Sequence, residues 1–190
     1  MAWERKRKAR FKERFSREAM NHLDHLYRVA FHLVKGRDEA QDLVQETYAR
    51  ALGSYEQFTP GSNMKAWLTR ILYNFFFDHY HQKKRWVSVE DEPVAEGNKS
   101  DYWEKVPTEN PGPESRMLSK ELNSKITDAL RKIPEEFCVP IVLVDMGDFS
   151  YVEAAEILSC PVGTVRSRLS RGRRLLHKYL REYVGIPLEE

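Results

Sequence analysis

The chain has 190 residues and a mass of 22.4 kDa, enough for one ordinary domain or two small ones. Hydrophobic residues make up 41% and charged residues 32%, and no apolar run is long enough for a membrane-spanning helix, which excludes membrane insertion by that route. The formal net charge of +2 argues against a nucleic-acid binder only if the charge is evenly spread.

It is not. Residues 1–86 carry 17 Lys and Arg against 10 Asp and Glu; residues 87–117 carry 3 against 8; residues 118–190 carry 11 against 11. The chain therefore reads as a basic part, an acidic part and a neutral part. The first ten residues, MAWERKRKAR, are charged and lack an apolar core, so no secretory signal is expected. Residues 1–15 read as a basic tail. Cys138 and Cys160 are the only cysteines, too few for a disulfide framework, and a reducing cytoplasm follows.

From Ser16 to Val34 the residues Ala19, Leu23, Leu26, Tyr27, Ala30 and Val34 fall at helical spacing, and Gly36 reads as the C-cap. A second helix begins near Asp38 and carries Leu43, Val44, Tyr48, Ala51 and Leu52. A turn-rich stretch from Gly53 to Asn63 follows, with Pro60-Gly61 at its centre. The third helix runs from about Met64 to Arg85 on a stripe of Trp67, Leu68, Ile71, Leu72 and Phe75. Phe75, Phe76 and Phe77 cannot all face one core, so one of them is expected outside.

Residues 87–117 are acidic, hold four of the nine prolines and show no helical period; they read as an extended linker. From Leu118 to Arg131 the chain is amphipathic again. Pro134-Glu135-Glu136 marks a helix start. Ser150-Tyr151-Val152-Glu153 is a capping box that opens a short helix with Val152, Ala155 and Ile157 on one side. Ser159-Cys160-Pro161 breaks it, and a last helix runs to about Tyr183. No segment alternates as a strand would. The fold class is all-α: two small helical domains, 16–86 and 118–184, joined by the linker, with a short tail at 185–190. Each core would be marginal alone.

The segment from Ser150 to Lys178 has the layout of a helix-turn-helix. Its second helix carries Arg166, Arg168, Arg171, Arg173, Arg174 and Lys178 and no acid between Val162 and Tyr179. At about 100° per residue, Val162, Val165, Leu169, Gly172 and Leu176 share about 80° of arc. Arg166, Ser167, Ser170, Arg171, Arg173 and Arg174 spread over the other side. A solvated helix normally mixes signs for i,i+4 pairing; an acid-free basic face over a thin apolar stripe suits a major groove. Arginine can take guanine with two hydrogen bonds, and flanking cations hold phosphates.

The stretch IPEEFCVPIVLVDMGDFSYVEAAEILSCPVGTVRSRLSRGRRLL resembles region 4 of the sigma-70 family, in particular its extracytoplasmic-function (ECF) members. The stretch DEAQDLVQETYARALGSYEQFTPGSNMKAWLTRILYNFFFDHY resembles their region 2. The words DLVQETY and NMKAWLTRILYN are most similar to the SigR/SigH-type subgroup. The resemblance implies a subunit of bacterial RNA polymerase that selects promoters and helps to open them. It implies that Asp42, Gln45, Glu46 and Tyr48 meet the clamp helices of the largest catalytic subunit. It implies that region 4 meets the flap of the second-largest. The loop Ser54 to Asn63 then takes a flipped base of the −10 element, with Tyr55 and Phe58 as aromatic surfaces and Gly61, Ser62 and Asn63 as polar ones. On the third helix Lys65, Arg70, Asn74, Asp78, Tyr80, Lys83, Lys84 and Arg85 become candidates for DNA, while Trp67 reads as core.

In region 4 the same resemblance makes Arg166, Ser167, Ser170 and Arg171 the readers of the −35 element, with Arg173 and Arg174 beside them. It also implies an anti-sigma factor, which binds zinc in the subgroup. The linker passes a length test: its 31 residues reach at most about 100–110 Å. Two promoter boxes about 23 base pairs apart are separated by about 78 Å.

No P-loop, dinucleotide fingerprint or nucleophile elbow is present, and neither a cofactor nor a metal is expected. His22 with His25 and His79 with His81 are the one constellation a metal enzyme could claim. Other readings are a helix-turn-helix activator that binds duplex DNA alone and a decoy that binds polymerase.

Overall fold

The structure, a computed structural model, describes residues 2–34, 36–86 and 113–184, and side chains within 3–34, 36–79 and 122–181. Most of the expected linker lies outside these residues. Among the described residues there is no strand, only helices and turns. They are α1 (Ala2–Met20), α2 (Leu23–Leu33), α3 (Arg37–Gly53), a single 3-10 turn at Tyr55–Gln57, and α4 (Met64–Trp86). Then come α5 (Pro113–Arg131), α6 (Glu135–Ile141) with a π-helical turn at Val142–Met146, α7 (Tyr151–Ile157) and α8 (Val162–Val184).

Three expectations change at the first domain. The stretch read as a basic tail is helical and belongs to α1. Its anchor is Phe15 and Ala19, both buried, with Phe11 half-buried one turn earlier. The single helix expected over Ser16 to Val34 is broken at Asn21-His22, so α1 and α2 are separate. Gly36 does not cap α2: at φ −127° it is extended and forms the N-cap of α3. Leu26, Val29 and Ala30 of α2, Leu43, Val44 and Ala51 of α3, and Leu68, Leu72 and Phe76 of α4 are buried together. Phe76 is the inward member of the Phe75–Phe77 run and Phe77 is exposed.

In the second domain, α5 starts at Pro113, so the last residues assigned to the linker are helical. Pro140 sits inside α6. It has no N–H to give the preceding turn, and the helix widens into the π-helical turn directly after it. Val165 and Leu169 of α8 are 0% and 2% exposed. Gly172 is buried and Val162 and Leu176 are half-buried, so the predicted stripe is the buried one. A Cβ at Gly172 would stand 2.5 Å from the Phe137 carbonyl oxygen and 2.9 Å from Ile141 Cδ1, so α8 meets α6 at a distance only glycine permits.

The two domains are not isolated from one another. Their buried residues form one contiguous apolar cluster, with α7 against α4 and the π-helical turn against α2. Two cores that would be marginal apart thus cover each other.

Candidate nucleic-acid interface

The helix-turn-helix is built locally. Ser150 Oγ accepts the Glu153 backbone N–H at 3.2 Å, and Glu153 returns by accepting the Ser150 N–H at 2.9 Å, which closes the predicted capping box. Ala154, Ala155 and Ile157 face inward. Val152, expected with them, is 57% exposed, because it lies about 150° from the middle of that buried arc. The break closes through Ser159 at φ 51°.

On α8 the residues Arg166, Ser167, Ser170, Arg171, Arg173 and Arg174 are all exposed. They do not share one fate. Arg173 Nε donates to Asp145 Oδ2 at 3.0 Å and Arg173 Nη2 to Asp145 Oδ1, a two-pronged pair that ties α8 to the π-helical turn. That pairing raises the Arg173 pKa. Arg166 lies over the Tyr151 ring at 5.8 Å, and Ser167 Oγ donates to the Thr164 carbonyl at 3.0 Å. Ser170, Arg171 and Arg174 point outward. Arg168 is half-buried and adds its charge to the surroundings of Tyr73 on α4.

In the loop, Phe58 is 4% exposed and packs edge-on to Phe15 at 5.6 Å and Trp67 at 5.5 Å. It is core, and no base can stack on it in this arrangement. Trp67 belongs to the same group, as its place in the stripe predicted. Tyr55 is half-buried. Its ring meets Phe11 at 5.9 Å, and Lys12 Nζ lies 5.7 Å from its centre. Ser62 is exposed and donates its hydroxyl to the Thr59 carbonyl at 2.7 Å.

Asn63 has two partners. Its Oδ1 accepts the Ala66 N–H at 3.0 Å, which caps α4. Its Nδ2 donates to Glu153 Oε1 of the other domain at 2.6 Å. Next to it, Lys65 Nζ lies 4.6 Å over the ring of Phe149, also in the other domain. Arg70, Asn74 and Asp78 are exposed on α4. Tyr80, Lys83, Lys84 and Arg85 lie outside the described side chains.

On α3, Asp42 and Gln45 are exposed. Glu46 accepts from Arg50 Nε at 2.7 Å, and Arg50 lies 4.4 Å over the Phe75 ring. Tyr48 has a structural job: it is half-buried and donates its hydroxyl to the Ala19 carbonyl at 2.9 Å. Burial pushes its pKa up to about 12.

His25 is buried between the domains, edge-on to Phe149 at 5.3 Å. Its Nε2 is 3.3 Å from Thr69 Oγ1, whose proton goes to the Lys65 carbonyl at 2.9 Å, so Nε2 carries the hydrogen. Among the described residues no three His, Cys, Asp or Glu stand together as metal ligands. Cys138 and Cys160 are free thiols; burial pushes Cys138 up to about 12. No described helix is long and apolar enough to cross a membrane.

Sequence reasoning missed the first helix's role and every contact between the domains. Phe11, Phe15 and Ala19 at four-residue steps were the available signal for α1. The pair Asn63 and Glu153 had none, being ninety residues apart.

A helix-turn-helix with an acid-free outer face and a loop-bearing helical domain, both on one chain, define a two-domain DNA-binding protein. Residues 19–86 match the family model for sigma-70 region 2, and residues 124–176 match that for sigma-70 region 4. The chain is 38% identical over 151 residues to the ECF RNA polymerase sigma factor EcfG of Rhodopseudomonas palustris, covering 80% of this chain and 76% of that one. It is 36% identical over 162 residues to the ECF RNA polymerase sigma factor SigE of Mycolicibacterium smegmatis, covering 85% of this chain and 60% of the relative's length. Among solved structures it is similar to the sigma factor RpoE in complex with the anti-sigma factor NepR from Bartonella quintana. There the identity is 31% and the TM-score 0.69, over 89% of this chain and 98% of that one. The chain belongs to the ECF sigma factors of the sigma-70 family.

Proposed function

We propose that this chain is the promoter-selecting subunit of a bacterial RNA polymerase. Region 4 takes the −35 element on α8, region 2 takes the −10 strand at the loop before α4, and the exposed side of α3 docks on core polymerase. The observation that carries this is the seating of α8. Val165, Leu169 and Gly172 hold it inward, and Ser170, Arg171 and Arg174 face out with no acid among them. Opening of DNA then uses binding energy, and no catalytic residue is required. The site of action is the cytoplasm, on the nucleoid.

Both domains cannot read two promoter boxes about 78 Å apart while α7 is packed on α4. The docked arrangement is the idle one, and an anti-sigma factor would hold it. The match to a relative solved with such a factor supports this. A zinc-binding anti-sigma factor rests only on the wording of DLVQETY and NMKAWLTRILYN.

The test is promoter opening, followed by permanganate reactivity of unpaired thymines, with core polymerase alone and with this protein added. Opening should need both. A promoter-specific complex formed equally well by the free protein would refute the reading in favour of an ordinary activator.

A further inference from the structure

The first helix carries a charge pattern that the reading above does not use. Helix α1 has eight Lys and Arg and three acids. One side is a seam against region 2: Phe15 and Ala19 are buried, Phe11 meets Tyr55, and Lys8 Nζ pairs with Glu56 at 3.0 Å. At about 100° per residue, Lys6, Arg7, Arg10, Arg14 and Arg17 fall within about 100° of arc on the opposite side. Glu13 stands at the edge of that arc and pairs with Arg17 at 3.3 Å. Glu18, four residues after Arg14, stands at the other edge of the arc, and Glu4 lies towards the seam. Lys6, Arg10 and Arg14 have no ion-pair partner among the described residues.

Like charges at i,i+4 disfavour a helix. Lys6, Arg10 and Arg14 are such a row, about 6 Å apart per step. The row is therefore a cost to the free protein that Glu13 and Glu18 at its flanks offset only in part, and that a polyanion lying along it would remove. Its reach of about 12 Å matches about four phosphates of one DNA strand. Trp3, 70% exposed with Arg7 at 5.2 Å over its ring, lies in the same arc and offers a stacking face. A lipid surface fits less well, because the apolar residues Phe11, Phe15 and Ala19 are already used in the seam. The seam also fixes α1 to the loop that holds Tyr55 and Asn63, so whatever strand enters that loop passes beside α1.

We infer that the Lys6, Arg10 and Arg14 face of α1 is a sequence-independent binding surface for the DNA backbone flanking the −10 element. This rests on the promoter reading above. It predicts a contribution to affinity that is the same for every promoter and steeply salt-dependent.

The test uses the full chain assembled with core polymerase and a promoter fragment, and compares the wild type with the triple variant K6Q/R10Q/R14Q. Glutamine keeps the helix propensity, and circular dichroism of the free chain checks that α1 persists. The slope of log affinity against log salt should become shallower by about 2–3. The loss should be equal on fragments with altered −10 sequence, and K6R/R10K/R14K should keep the slope. An unchanged slope with the helix intact overturns the inference. So does loss of binding to phosphatidylglycerol vesicles with no change on DNA, which would assign the face to lipid. A wild-type holoenzyme without promoter preference would instead sink the promoter reading itself.

Discussion

The side-chain amide of Asn63 donates to the carboxylate of Glu153 at 2.6 Å, joining the start of α4 in region 2 to the first turn of α7 in region 4. Glu153 is at the same time the reciprocal member of the Ser150 capping box. One carboxylate therefore serves the helix-turn-helix and the docking of the domains. A charge-assisted bond at an exposed site contributes about 1 kcal/mol, or about fivefold in a docking equilibrium. Asn63→Ala should expand the free protein in solution scattering without loss of thermal stability in region 4; Glu153→Ala should expand it and also lower that stability. Equal compactness of Asn63→Ala and wild type would show that the bond does not hold the domains.

That carboxylate also sets an acid limit. Its pKa is held below the ordinary 4.5, first by the hydrogen bonds from Ser150 and further by Asn63 and Lys65. A depressed carboxylate stabilises the folded form above its unfolded pKa, and the stabilisation is lost as pH falls through the lower folded value.

His25 works at a higher pH. Burial first, then Lys65, Arg28 and His22, hold its pKa down at about 3 against an ordinary 6.5. The folded form keeps His25 neutral while the unfolded chain takes up a proton below pH 6.5. Stability should therefore decline as pH falls from 6.5 towards 3. His32, at about 4 for the same reason of burial, adds to the decline. Urea midpoints measured between pH 7 and pH 5 should fall in the wild type and fall less in His25→Gln. Parallel profiles would remove His25 from the account.

Arg171 and Arg173 should separate by role. Arg171 is exposed, whereas Arg173 is held in a fork with Asp145. Arg171→Ala should weaken binding by about 1–3 kcal/mol at one −35 position and leave the melting temperature unchanged. Arg173→Ala should lower region 4 stability by up to about 1 kcal/mol, as expected for a partly exposed pair, and weaken all −35 sequences alike. A base-specific loss in Arg173→Ala would mean that the fork opens on DNA.

Phe58 and Tyr55 should separate in the same way. Phe58 is in the core between Phe15 and Trp67. Phe58→Ala should destabilise the domain by about 3–5 kcal/mol, while Phe58→Leu should fold and open promoters with unchanged −10 preference. A shifted −10 preference in Phe58→Leu would restore Phe58 to the base pocket.

What was legible in the sequence was what short-range chemistry decides. The Ser150–Glu153 box, the start of α6 after Pro134 and the buried stripe of α8 depend on residues three or four apart. The burial of Phe58 is not legible in the sequence, because an aromatic in a turn-rich stretch shows nothing of what lies across from it; its partner Phe15 sits in a stretch that reads as a tail. The break at Asn21-His22 has neither Gly nor Pro to mark it. Arg173 looked the same as Arg171 because Asp145 is twenty-eight residues away. The docking of the domains is invisible for the same reason: Asn63 and Glu153 are ninety residues apart.

Gly172 lies between Arg171 and Arg173 and is where α8 seats against Phe137 and Ile141 of α6. Gly172→Ala should cost about 1–3 kcal/mol through that crowding. The seat also fixes the roll of α8 about its own axis. Successive residues are about 100° apart around a helix, so a modest roll would carry Arg171 off a base edge and pull Arg173 away from Asp145 together. Which bases the arginines can reach is set from the inward side, by a residue that has no side chain to offer the DNA.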